Sequence, residues 1–169
     1  MAYDEFRHNK IQLPSILRRN ALQLESFSNL SQQVGTQVLQ ALSDGLGLAG
    51  RDRLEHQVND SARTSDTALK FVSEPSLARV SDVGDNTHTD NGLLSMVWCD
   101  EWGFKIKDDA DDFGSFTRPV DGTVIIHVAN TLQKLTGGHL HSTLHQVTQP
   151  LDGAAPRLFL AYNLRPYLS

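Results

Sequence analysis

His88-Thr89-Asp90 sets an imidazole and a carboxylate two residues apart, just ahead of an apolar run. In an extended segment such residues share a face, so the two groups converge on one point and can offer a metal ion two ligands. Two ligands hold a metal poorly, and a third must come from another segment. Four of the seven histidines fall between residues 127 and 145, and the cluster His139, His141 and His145 offers the third. A lone His-Xaa-Asp triplet also arises in ordinary surface loops, so its weight depends on its surroundings. His127 stands among Ile and Val, where a histidine hydrogen-bonded in the core, or behind a metal ligand, is a simpler reading than a ligand itself. Cys99, flanked by Trp98 and Asp100, reads as a small packing residue rather than a nucleophile. Trp98, Trp102, Phe104 and Phe116 read as core, although each would also suit the wall of a pocket for an aromatic or terpenoid substrate.

Groups so far apart in sequence need a scaffold that returns them to one place. From about Ser26 to Leu46, apolar Leu30, Val34, Val38 and Leu42 recur every four residues and mark an amphipathic helix, with Gly45, Gly47 and Gly50 able to stop it. A shorter helix is expected from Arg51 to about Val58, a polar loop over Asn59 to Thr67, and a short strand over Leu69 to Val72. Beyond residue 75 the pattern changes to short runs rich in β-branched and aromatic residues. Strands are expected at Leu93 to Cys99, Phe104 to Lys107, Thr123 to Val128, Ser142 to Val147 and Leu158 to Leu164, with the acidic run Asp108 to Asp112 as a solvated loop. Several short strands separated by turn residues point to a sandwich or barrel rather than a βαβ sheet.

The chain has 169 residues, enough for one domain with a real core, and 39% of them are hydrophobic. Fifteen Lys and Arg against 20 Asp and Glu give a net charge of −5, which lacks the basic footprint of a nucleic-acid binder. No apolar run approaches the ~20 residues needed to span a bilayer, and Met1 to Glu5 lacks the basic-then-apolar start of a signal peptide. With a single cysteine no internal disulfide can form. These features lead us to expect a cytoplasmic protein without nucleic-acid or membrane partners.

The segments that carry these residues also form a recognisable series. His88-Thr89-Asp90 leads into Gly92-Leu93-Leu94-Ser95, Asp121 to Leu132 forms a turn, strand and loop, and Leu135 to Val147 ends on His145-Gln146-Val147, with Arg157 beyond. Together the stretches Asp85 to Lys107, Asp121 to Val147 and Pro156 to Pro166 resemble the catalytic core of the iron(II) and 2-oxoglutarate-dependent dioxygenases, in the branch that includes isopenicillin N synthase. The resemblance implies a mainly β fold with amino-terminal helices, built on a double-stranded β-helix (a jelly-roll, cupin-like barrel). It divides the chain into a helical region over 1–75, packing on the barrel, and a catalytic core over 76–169, one structural domain overall. It implies Fe(II) held by His88, Asp90 and His145, 2-oxoglutarate as cosubstrate clamped by Arg157, and dioxygen and a small organic molecule as the reactants. Hydroxylation, desaturation and ring closure are the expected outcomes, in small-molecule biosynthesis.

The chemistry accounts for that set. Two imidazoles and a carboxylate on one face of iron(II) leave three positions of an octahedron for the 2-oxo acid and dioxygen, and a guanidinium suits the far carboxylate of the cosubstrate. Strand alternation from Arg157 to Leu164 puts Arg157, Phe159, Ala161 and Asn163 on one face, taken as the barrel interior. His139 and His141 then read as rim or surface residues.

Three features depart from the family pattern. Phe159 stands where members usually carry a serine that binds the same carboxylate, and Lys70-Phe71-Val72-Ser73 lacks the usual asparagine and tyrosine. The amino-terminal region is short for this branch, which would expose strand edges and apolar surface and favour a homo-oligomer. The alternatives are an oxidase that needs no 2-oxoglutarate, as in isopenicillin N synthase, and a non-oxidative descendant acting as a binding module or as a scaffold for a pericyclic or isomerising reaction.

Overall fold

The structure, a computed structural model, describes residues 14–60, 63–101, 103–107 and 113–167. Trp102, the acidic run 108–112 and the first five residues, for which expectations were stated above, lie outside the described residues.

Helix α1 (Ser15–Arg19) leads into α2 (Ala21–Gly45). The helix begins five residues before the expected start, and its buried stripe differs from the expected one. Ser28, Ser31, Gly35, Leu39 and Ser43 face inward, Val34, Val38 and Leu42 flank them, and Leu30 is 59% exposed. The reason is close approach. A Cβ on Gly35 would come within 2.7 Å of Leu164 Cδ2 and 3.0 Å of Met96 Cε, so small residues let the helix axis sit down on the strands. The expected helix over 51–58 is two short 3-10 turns, Gly50–Asp52 and Leu54–Gln57. The second is clipped to α2 by buried Glu55, whose carboxylate accepts from the Ser43 hydroxyl at 2.8 Å and from Arg53 Nε at 2.5 Å.

Seven strands follow: β1 (Ala68–Glu74), β2 (Leu94–Cys99), β3 (Phe104–Lys107), β4 (Phe113–Phe116), β5 (Ile125–Val128), β6 (His145–Val147) and β7 (Arg157–Leu164), with helix α3 (Asn130–Leu135) between β5 and β6. The main sheet runs β1-β7-β2-β5 and the smaller one β4-β3-β6, and every pairing described is antiparallel. Neither β4 nor α3 was expected. Phe113-Gly114-Ser115-Phe116 has no alternation to read, and the six residues of α3 are too few for a helical period. The strands expected from Thr123 and Ser142 begin only at Ile125 and His145.

The outer face of the main sheet lies under α2, where Leu39, Leu69, Leu94, Met96, Tyr162 and Leu164 form the apolar core. Trp98 joins it edge-on to Phe27, with 4.8 Å between ring centroids, and Tyr162 donates its hydroxyl to Gln32 Oε1 at 2.9 Å. The inner face meets the smaller sheet. Leu94 to Val97 are consequently buried without alternation, because one set of side chains faces the helix and the other faces the space between sheets. Strand β1 pairs with β7 over seven residues, from Ala68 opposite Asn163 to Glu74 opposite Arg157. Among the described residues no helix is long and apolar enough to cross a membrane.

Candidate metal centre

His88 and His145 are brought together by the backbone. His88 N donates to His145 O at 3.0 Å and His145 N to His88 O at 2.9 Å, closing an antiparallel pair at the end of β6. Asn86 extends the pairing with its side chain, whose Nδ2 donates to Val147 O at 2.7 Å while Val147 N donates to Oδ1 at 3.1 Å. The two imidazole rings lie 4.3 Å apart, centroid to centroid.

Asp90 is placed by the turn into β2. Gly92 has φ +119°, a conformation that other residues rarely adopt, and a Cβ there would meet Leu164 O at 2.7 Å. The turn is stitched on both sides: Asn130 N donates to Asp90 O at 2.9 Å, Thr131 N to Gly92 O at 2.8 Å, and Leu93 N to Leu164 O at 2.8 Å. Asp90 therefore points into the space between the sheets, with Oδ1 3.6 Å from His88 Nε2.

The outcome is a compact donor set. One ligand atom from each of His88, Asp90 and His145 lies within 4.8 Å of the other two, so the three residues expected to hold a metal converge. Their protonation suits the task. His88 Nδ1 lies 2.6 Å from Asn86 O and His145 Nδ1 lies 3.0 Å from Thr143 O. A carbonyl only accepts, so both Nδ1 atoms carry the proton and both Nε2 lone pairs are left for a metal. Burial opposes ionisation of Asp90, yet the Ser95 hydroxyl and the His145, His127 and His88 imidazoles, where these carry a proton, outweigh it and hold the carboxyl below its usual range. Ser95 does this without a hydrogen bond of regular geometry. Burial pushes the His145 imidazole down, against the pull of the Thr143 carbonyl and Asp90. An ionised carboxylate beside a neutral imidazole is the state in which these groups bind metal.

Arg157 lies where alternation put it, facing the interior from the start of β7 and only 5% exposed. Its Nε and Nη1 have no hydrogen-bond partner among the described residues. The guanidinium sits in an apolar recess formed with Val97, Cys99, Gly103, Phe104, Val147 and Phe159. Gly103 makes room for it, since a Cβ there would overlap Nη1 and lie 2.8 Å from Thr148 O. Phe104 joins recess and triad, because its ring also stacks on His145 at 5.0 Å. His139 and His141 are exposed and take no part. Cys99 is half-buried, its thiol donating to Glu101 O at 2.8 Å and pushed up by burial, which fits packing rather than nucleophilic chemistry. His127 lies behind the site, as one of its two sequence readings allowed: its Nε2 is 3.5 Å from Asp90 Oδ2.

Residues 53–166 match the family model of the 2OG-Fe(II) oxygenase superfamily. The chain belongs to that superfamily. Among curated relatives of this 2OG-Fe(II) oxygenase chain, a 2-oxoglutarate-dependent dioxygenase of Gibberella zeae is 31% identical over 155 residues, covering 90% of the chain and 46% of the relative. An oxidoreductase of Penicillium aethiopicum is 32% identical over 158 residues, covering 90% and 37%. The chain thus spans less than half the length of both. The crystal structure of a 2OG-Fe(II) oxygenase family protein from Caulobacter crescentus superposes with a TM-score of 0.77 at 22% identity, over 94% of this chain and 50% of that one. The crystal structure of a Neurospora crassa protein in complex with alpha-KG gives 0.72 at 18%, over 92% and 48%. These neighbours fix the fold of the oxygenase chain as a double-stranded β-helix.

Proposed function

We propose that the chain is the core of an Fe(II)- and 2-oxoglutarate-dependent oxygenase acting on a small organic molecule in secondary-metabolite biosynthesis. The observation that carries this reading is the triad His88, Asp90 and His145 together with a buried guanidinium whose Nε and Nη1 have no hydrogen-bond partner among the described residues. The name of the Gibberella zeae relative supports the cosubstrate, and the motif words quoted above support the isopenicillin N synthase-like branch.

The donor set fits iron(II), being two nitrogen ligands and one carboxylate with the remaining positions free. The metal, when bound, supplies redox chemistry that side chains lack. Everything else falls to the chain. The carbonyls of Asn86 and Thr143 hold the protons of His88 and His145 on Nδ1. Arg157 binds the distal carboxylate of 2-oxoglutarate through Nε and Nη1, and Phe104, Val97 and Phe159 keep water from that ion pair. In the overall reaction, 2-oxoglutarate, dioxygen and a C–H bond become succinate, carbon dioxide and an alcohol. Loss of a second hydrogen gives instead a double bond or a ring, together with water.

The test is anaerobic titration of the metal-free protein with iron(II) and then 2-oxoglutarate, followed by the weak visible charge-transfer band of a chelated 2-oxo acid. A band that disappears in Arg157→Ala supports the proposal. Iron binding without a band favours the oxidase that needs no 2-oxo acid, which Phe159 makes the second reading, and no iron binding favours a non-oxidative scaffold.

We also propose a homo-oligomer in the cytoplasm. Phe71 is 51% and Leu158 67% exposed on adjoining strands, with β1 at the sheet edge, and Cys99 is unpaired. A monodisperse monomer on size exclusion would refute the oligomer.

A further inference from the structure

His127 on β5 stands opposite Ser95 on β2, and Ser95 stands opposite Asn163 on β7, so the three form one row across the inner face of the main sheet. All three are buried, His127 being 6% exposed. Each carries a polar atom with no regular hydrogen-bond partner among the described residues: Asn163 Oδ1, Ser95 Oγ, and both ring nitrogens of His127. Folded chains rarely leave such groups unmet, and a cluster of them marks a place where another group is to be bound.

For His127 and Ser95 that group is Asp90, which divides its two oxygens; Asn163 Oδ1, an acceptor like the carboxylate, is not met by it. Oδ1 faces His88 Nε2 at 3.6 Å, on the side where the ligand atoms converge, and Oδ2 faces His127 Nε2 at 3.5 Å. His127 itself lies outside the set of ligand atoms within 4.8 Å of one another. Its ring is held in place, with its centroid 4.8 Å from that of His145 and 5.7 Å from that of Phe104.

We propose that His127 is a positioning residue: with Ser95 it engages Oδ2 of Asp90, so that the carboxylate presents Oδ1 alone to the metal. A carboxylate left free can take a metal through one oxygen or both. Engaging Oδ2 fixes the first mode and keeps a coordination position open for the reactants. The inference rests on the triad being the metal centre, and it adds a residue that the triad alone does not require.

The test is a Co(II) titration of the intact protein, monitored by visible absorption, for wild type, His127→Phe and His127→Gln. Phenylalanine keeps the ring and removes the donor, whereas glutamine can place an amide N–H near the position of Nε2. The expected result is Co(II) affinity lower by about 10- to 100-fold in His127→Phe and largely recovered in His127→Gln. A His127→Phe protein with wild-type circular dichroism and affinity within about twofold overturns the inference, and so does a glutamine variant as weak as the phenylalanine one. If neither variant folds, proton NMR of the Co(II)-loaded wild type decides. At most two exchangeable imidazole N–H signals, from His88 and His145, should be strongly shifted by the metal, and a third would make His127 a ligand. Wild type that takes up no Co(II) overturns the metal centre, a failure distinct from the others.

Discussion

Replacing Gly103 by alanine tests whether the Arg157 recess is a built site. The new Cβ would overlap Arg157 Nη1, with Cζ at 3.2 Å and Thr148 O at 2.8 Å. Thr148 O is backbone, and Thr148 N is itself bonded to Gly103 O at 2.8 Å, so that side cannot yield. The guanidinium must move instead. Overpacking of this kind costs roughly 1–3 kcal/mol of stability, and a charge-assisted hydrogen bond contributes about 1.5–3 kcal/mol. At about 1.4 kcal/mol per tenfold, losing one such bond to the cosubstrate weakens 2-oxoglutarate by about 10- to 100-fold. Metal binding should be unchanged, because the three atoms nearest the new Cβ belong to Arg157 and Thr148 and not to the triad. The assay is the 2-oxoglutarate titration of the iron-loaded protein, with iron affinity measured alongside. Wild-type 2-oxoglutarate affinity in a folded Gly103→Ala protein would refute the placement of Arg157, and an equal loss of iron affinity would show a general collapse instead.

Leu39→Ala, at a position with no exposure, should cost about 2–5 kcal/mol in urea unfolding, whereas Leu30→Ala should stay within about 0.5 kcal/mol. Equal effects would contradict the face that α2 buries. Burial opposes the charge on Glu55, but the Arg53 guanidinium and the Ser43 hydroxyl overcome it and hold the carboxyl below its usual range. A depressed carboxyl stabilises the fold above the unfolded value of about 4.3 and loses that contribution as pH falls through the lower folded value. Melting temperature should accordingly fall less steeply in Glu55→Gln than in wild type between about pH 6 and about pH 3.5. His139→Ala and His141→Ala, both at exposed positions, should leave Co(II) affinity within about twofold of wild type.

The convergence of His88, Asp90 and His145 was legible through the motif words that resemble the oxygenase family, since an imidazole and a carboxylate two residues apart arise in ordinary loops as well. The inward face of Arg157 was legible through alternation, since β7 is regular from end to end. The helix face was not. Periodicity reports apolar residues, and α2 approaches the sheet through Ser28, Ser31 and Gly35, whose value is their small size. Register was equally hidden: nothing in the sequence says that His127 stands opposite Ser95, although its place between Ile126 and Val128 would have put it on a buried face. Gly103 carries no motif, and only the packed guanidinium shows why the position has no side chain.

The residues that depart from the family pattern also sharpen one further expectation. Val72 of β1, Phe159 of β7 and Cys99 of β2 stand opposite one another across the sheet, so apolar neighbours flank Phe159, which stands where the resemblance puts a serine. Fewer hydrogen bonds then reach the cosubstrate. Yet drying the recess makes an unpaired guanidinium more costly, and the single ion pair that relieves it correspondingly stronger. Binding should depend on a second carboxylate rather than on the 2-oxo acid group alone. With iron bound, 2-oxoglutarate should bind at least about tenfold more tightly than 2-oxobutanoate, which has the same chelating group and no distal charge. The Arg157→Gln variant should erase the difference. Equal affinities in wild type would mean that the buried guanidinium finds its counter-charge elsewhere, in the organic substrate, and would turn the mechanism toward an oxidase that draws all its electrons from that substrate.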